Sequence, residues 1–211
     1  HYNFKDGANL NNIKNALNNV ELKDSKRTIE INILETLDVS GREGYYDLIG
    51  AIKDMFPSHC YTLLKLSNEI FHLNIDFDSI NIEQLKLGQY KGYSVADSNT
   101  ETSFEIAAEV SNTKIKFVSG KKLSEKKTSI KYIDESNNIE LIIDPSKKII
   151  INSREHLLED NNRLDHTKMF EALKKKEYSN FLLEKDVING WRIFDKVEGL
   201  KKSMQTRLDM Y

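Results

Sequence analysis

Ser103-Phe104-Glu105-Ile106-Ala107-Ala108-Glu109-Val110-Ser111-Asn112-Thr113-Lys114-Ile115-Lys116-Phe117-Val118 holds two runs in which apolar and polar residues largely alternate, joined by a Ser-Asn pair. A period of two sends successive side chains to opposite faces of a strand, and Asn tolerates the left-handed backbone of a tight turn. The stretch therefore predicts strands over Ser103 to Val110 and Lys114 to Val118. Similar runs lie at Ile80 to Leu85, Tyr90 to Val95, Ser129 to Ile133, Ile139 to Ile143 and Lys148 to Ile151. Turn residues such as Asp144-Pro145-Ser146-Lys147 separate them. This regular spacing is that of an antiparallel meander, with a polar loop from Ser119 to Lys127.

Upstream, Asp6 is placed to cap a helix whose apolar stripe is Leu10, Ile13, Leu17 and Val20. Thr28 to Leu34 alternates as a strand. Tyr45 to Phe56 repeats apolar residues as a helix does, and Pro57 is expected to stop it. Tyr61 to Leu66 and Ile70 to Phe77 read as a hairpin around Ser67-Asn68-Glu69. Downstream, helices are expected over His166 to Lys176, over Phe181 to Ile188 with Asn189-Gly190 as its terminator, and over Trp191 to Tyr211. The fold class is α+β: an N-terminal α-β-α-β-β unit running into an antiparallel β-meander, closed by a C-terminal helical segment. Residues 1–152 form the sheet-dominated region and 153–211 the helical one, in one compact unit taken to be a fragment of a longer protein.

Composition limits the function. The chain has 211 residues, 39% hydrophobic and 30% charged, with nine Phe and nine Tyr, enough to build a core. Its single cysteine, Cys60, excludes an internal disulfide framework. No 18-residue apolar run exists to span a bilayer, so no membrane partner is expected, and the lone cysteine together with the lack of a signal-peptide pattern favours the cytoplasm. The Asn-, Lys- and Ile-rich bias points to an AT-rich bacterial genome and to a place in a phage-defence or mobile-element protein.

No motif fixes a chemistry. Asp38-Val39-Ser40 resembles the start of the metal-dependent adhesion motif of von Willebrand A-like domains, with Arg42 at its second serine position. Phe4-Lys5-Asp6-Gly7-Ala8-Asn9-Leu10 looks like the opening of NYN-type PIN nucleases, although helix capping by Asp6 accounts for the same residues. Ser40 to Gly44, between a strand and a helix, lacks the spacing of a phosphate loop. His156 and His166 lie ten residues apart and His59 beside Cys60, neither at metal-ligand spacing. No cofactor and no metal are called for, and no catalytic residue is assigned.

Charge is distributed unevenly. Residues 1–110 carry 10 basic and 17 acidic residues, a net of −7, and residues 111–211 carry 21 and 16, a net of +5. Lys114, Lys116, Lys121, Lys122, Lys126, Lys127 and Lys131 would then form a band able to neutralise the DNA or RNA backbone. Trp191, Val197, Leu200, Met204 and Leu208 would form an apolar stripe for self-association or another subunit. The leading expectation is a noncatalytic binding module of a larger intracellular bacterial protein or complex, its basic half meeting nucleic acid or an acidic partner. The alternatives are a pure protein-interaction or oligomerisation domain, and a metal-dependent nuclease using Asp6, Asp38 or the Asp76-x-Asp78 pair.

Overall fold

The computed structural model describes residues 7–23, 25–158, 166–178, 181–204 and 208–211. Its fold is α+β. Nine strands form one sheet: β1 Arg27–Leu34, β2 Asn81–Gln89, β3 Ser103–Val110, β4 Thr113–Gly120, β5 Lys127–Ile133, β6 Asn138–Asp144, β7 Lys148–Ile151, β8 Arg154–Leu157 and β9 Asp209–Met210. Five helices accompany it: α1 Gly7–Leu17, α2 Glu43–Met55, α3 Tyr61–Ile70, α4 His166–Lys175 and α5 Glu184–Ser203.

The sheet is mixed rather than a meander. Its order is β8-β7-β6-β5-β1-β4-β3-β2-β9, so β1 is inserted between two strands made far later in the chain. β1 runs parallel to β4 and antiparallel to β5, and β9 runs parallel to β2. Alternation in β1 is complete: Ile29, Ile31 and Ile33 are buried while their neighbours are half-exposed. That buried face meets the helices, with Phe56 set edge-on to Phe117 at 5.0 Å and Phe71 stacked on Tyr132 at 4.8 Å.

Several local expectations change. Pro57 does not stop a helix; it opens a π-helical turn, Phe56–Cys60, that leads straight into α3, because proline is tolerated in a first turn where its missing N–H is no loss. Tyr61 to Leu66 is thus helix and not strand. Its apolar residues are buried nearly all round, which blurs any period. His72 and Asn74 then take positive φ in an irregular link to β2. Tyr90 to Val95 forms turns. Asn189-Gly190 lies inside α5, where the glycine serves close approach: a Cβ there would lie 2.6 Å from the Pro57 carbonyl oxygen. α5 ends at Ser203, well before Tyr211, and the chain returns to the sheet as β9. Asp6 as a cap, the Asp6 nuclease ligand and the PIN-like opening lie outside the described residues, apart from Gly7 to Leu10 in α1.

Candidate active site

Parallel pairing of β1 and β4 brings their carboxyl ends together, the place where parallel strands characteristically open a crevice for ligands. The first residue beyond β1 is Glu35 and the first beyond β4 is Lys121. The Glu35 N–H donates to the Gly120 carbonyl at 3.0 Å, and the Lys121 N–H donates to the Thr102 carbonyl at 2.9 Å. Lys121 is 5% exposed. Its ammonium lies 2.9 Å from Glu35 Oε2, 3.5 Å from Asp54 Oδ2 and 3.7 Å from Met55 Sδ. A buried lysine needs such partners, since an unpaired ammonium out of water is costly.

Asp54 comes from the last turn of α2, which is broken at Gly50 (φ 66°, ψ 174°) and restarts at Ala51. The π-helical turn that follows carries His59. The surrounding protein holds its imidazole below the ordinary 6.5 by desolvation, against the raising pull of Asp54 and Glu35 and with a smaller lowering push from Lys121. Two carboxylates and one ammonium are thus gathered, with the His59 imidazole close enough to feel all three charges. Such a set can accept hydroxyl donors, anchor a polyhydroxylated ligand and take up one proton.

Beneath the cluster the Tyr46 hydroxyl is buried without a hydrogen-bond partner among the described residues. Burial, then the Asp54 charge, pushes its pKa far up. Alongside lies an apolar groove of about 540 Å³, with Tyr45, Ile49, Pro57, Phe181, Val187 and Trp191 in its wall and Asp54 and Ser58 in its lining.

The basic band looks different in three dimensions. Lys114, Lys116 and Lys131 lie on the sheet face turned away from the helices, where the acidic half of the sequence meets the basic half strand by strand. Glu30 stands between Lys116 and Lys131, Glu109 opposite Lys114, and Glu140 opposite Lys131. Lys116 pairs with Glu105 at 3.3 Å, Lys126 with Asp144 at 2.8 Å and Lys127 with Glu140 at 2.7 Å. Lys122 covers the Tyr90 ring at 4.8 Å. Glu30, Glu105 and Glu109 bring carboxylates of the acidic half to this face, while the Lys126–Asp144 and Lys127–Glu140 pairs lie within the basic half. On α5, Val197 is fully buried in the chain's own core, Leu200 packs against that core and Trp191 is exposed; beyond the helix, Leu208 packs against the core and Met204 is exposed.

Other candidates form local structure. Asp38 accepts the Ser40 N–H at 3.0 Å in a turn; Asp76 accepts the Asp78 N–H at 3.2 Å and the Ser79 hydroxyl; Asp78 pairs with Arg192. His156 is on β8, and the side chain of His166 lies outside the described ones. Among the described residues no group of three or more His, Cys, Asp or Glu is placed to hold a metal ion, and no helix is long and apolar enough to cross a membrane. Burial raises the Cys60 thiol far above its ordinary pKa, as in an inert core residue.

Comparison with known proteins finds similarity to oxidoreductases. A sequence family described as glucose-6-phosphate dehydrogenase, C-terminal domain, matches residues 11–90, which include Glu35, Asp54 and His59. The glucose-6-phosphate 1-dehydrogenase of Helicobacter pylori strain 26695 is 27% identical over 237 residues, covering 94% of this chain and 55% of its own length. That of Borreliella burgdorferi is 36% identical over 59 residues, 28% of this chain and 12% of the relative. The chain therefore spans about half the length of the Helicobacter relative. Among solved structures, glucose-6-phosphate 1-dehydrogenase from Mycobacterium avium superposes with a TM-score of 0.74 at 21% identity, covering all of this chain and 58% of that one. A glucose-6-phosphate dehydrogenase in complex with its substrate glucose-6-phosphate gives 0.75 at 17% identity, covering 100% and 58%. Actinomadura kijaniata 3-ketoreductase, in complex with NADP and TDP-benzene, gives 0.65 at 9%, covering 100% and 63%. The similarity is to dehydrogenases, and it overturns the expectation of a noncatalytic module bound to nucleic acid or belonging to a phage-defence protein.

Proposed function

We propose that this chain is the substrate-binding portion of a glucose-6-phosphate dehydrogenase, with Glu35, Asp54, His59 and Lys121 around the reacting end of the sugar. The observation that carries the proposal is the buried Lys121 ammonium between the Glu35 and Asp54 carboxylates, beside an imidazole biased toward neutrality, where two parallel strands end. Oxidation of a sugar at its anomeric carbon removes a hydride from carbon and a proton from the attached oxygen. His59 is the group suited to receive that proton, since its lowered pKa keeps it unprotonated near neutral pH. Asp54 and Glu35 favour the imidazolium once formed and offer acceptors to ring hydroxyls. The loop beyond Lys121 carries Lys122 and Lys126; the Lys126 ammonium is held chiefly by Asp144 at 2.8 Å and feels Glu35 more weakly, and cations of this kind suit the substrate phosphate.

A nicotinamide dinucleotide supplies the hydride acceptor when bound. The groove beside Asp54, about 540 Å³ with Tyr45, Pro57, Phe181 and Trp191 in its lining, has room and apolar surface for a ring. The 211 residues contain no G-x-G-x-x-G phosphate cradle, so these residues fit the ring end of such a cofactor and not its phosphates.

Titration of glucose 6-phosphate into the protein, with glucose and inorganic phosphate as controls, tests the reading. Saturable binding is expected for glucose 6-phosphate and at least tenfold weaker binding for either control. In the NADP-coupled assay of the whole enzyme, His59→Asn should lower kcat by about 10²–10⁴-fold while glucose 6-phosphate still binds. No glucose 6-phosphate binding and no turnover by the wild type would overturn it.

A further inference from the structure

Glu101 and Thr102, just ahead of β3, are 1% and 0% exposed, and their groups point to both halves of the candidate site. Toward α2, the Glu101 carbonyl accepts the Ala51 N–H at 3.0 Å and its Oε1 accepts the Ile52 N–H at 3.2 Å. These are the first N–H donors after the Gly50 break, the orphan groups that a restarted helix must satisfy, and a carboxylate there also suits the helix dipole. A Cβ on Gly50 would overlap the Glu101 carboxylate. The second oxygen, Oε2, takes the Lys201 ammonium from α5 at 2.8 Å. Toward β4, the Thr102 carbonyl accepts the Lys121 N–H at 2.9 Å. The Thr102 hydroxyl lies 3.0 Å from the Tyr211 hydroxyl, which donates to the Lys121 carbonyl at 2.8 Å. One dipeptide thus holds the helix segment that presents Asp54 and the backbone that presents Lys121.

We infer that Glu101, with Lys201 as its counter-ion, is a positioning residue of the dehydrogenase: it fixes the register of the restarted half of α2, and so the place of Asp54 relative to Lys121. Glu101 touches no reacting atom and acts through Asp54. The inference rests on the dehydrogenase reading, and the test separates the two.

In the whole enzyme, kcat, KM and the isotope effect with glucose 6-phosphate deuterated at carbon 1 are measured for wild type, Glu101→Ala, Glu101→Gln, Lys201→Met and the double variant Glu101→Gln/Lys201→Met, per folded molecule counted by substrate titration. Glu101→Ala is expected to lower kcat about tenfold to a hundredfold, the usual cost of a misplacement near 1 Å, with KM changed by less than about threefold. Its isotope effect on kcat/KM should rise, because the chemical step becomes slower than the steps around it. The double variant, which keeps an oxygen for the Ile52 N–H and leaves no lone ammonium, should recover most of the loss. If Glu101→Ala does not fold, Glu101→Gln and its rescue by Lys201→Met carry the same reading. An active wild type whose variants keep wild-type kcat and isotope effect per folded molecule would overturn the positioning role alone. A wild type without glucose 6-phosphate turnover would remove the dehydrogenase reading and the positioning role together.

Discussion

His59 is under opposing influences from its neighbours, and the balance has a sign that can be measured. Desolvation lowers its pKa and Asp54 raises it. A base acts unprotonated, so kcat/KM should hold as pH falls through 6.5 and decline only below it. Asp54→Asn removes the largest raising influence and should move that acidic limb to still lower pH, as a pH profile would record. Tyr46 makes a second case. Its buried hydroxyl has no partner among the described residues, and removing an unsatisfied group is neutral or favourable. Tyr46→Phe should therefore raise Tm, equivalent to about 1 kcal/mol. A fall in Tm would mean that the hydroxyl is bonded in solution. Lys121→Met, by contrast, leaves Glu35 and Asp54 facing each other without their cation, and chemical denaturation should show a loss of about 1–3 kcal/mol.

α2 is one helix in length and two in geometry, and its break is where substitution should be least tolerated. Gly50→Ala combines a side chain at φ 66° with overlap on the Glu101 carboxylate, and Tm should fall by far more than the ~1 kcal/mol equivalent of an ordinary glycine replacement. How much of this could be read from the sequence varies by element. The alternation of β1, β3 and β4 was legible because each has one buried and one open face. α3 was not, since burial nearly all round removes the period that distinguishes helix from strand. The site itself was illegible for a related reason. Glu35 and Lys121 meet only because β1 pairs in parallel with β4, an inter-strand fact that no local pattern encodes. Likewise His59 lies within the π-helical turn that follows Asp54, and the wider turn shifts the phase on which α-helical spacing rules depend. Lys121 was singled out for its positive charge among other lysines, whereas what sets it apart is burial. Charge counted along the chain does not show which lysines the sheet pairs with carboxylates, as it does Lys116 with Glu105 and Lys127 with Glu140.

At the scale of the molecule, a ligand bound by Glu35, Asp54 and Lys121 bridges the ends of β1, β4 and α2. Glucose 6-phosphate at a hundred times its Kd should then stabilise the native state by about 2.7 kcal/mol, visible as a rise in Tm that inorganic phosphate alone does not reproduce. The sheet order has a further consequence, in time rather than in space. Both neighbours of β1, residues 113–120 and 127–133, follow it only after a long stretch of chain. At about 5–20 residues per second a ribosome needs roughly 5–20 s to cover the ~100 residues from Leu34 to Ile133. Until β4 is made the nascent chain carries an isoleucine-rich strand with both edges open, and one edge stays open until β5 follows, so the central strand of the sheet must be kept from the wrong partner for most of that interval.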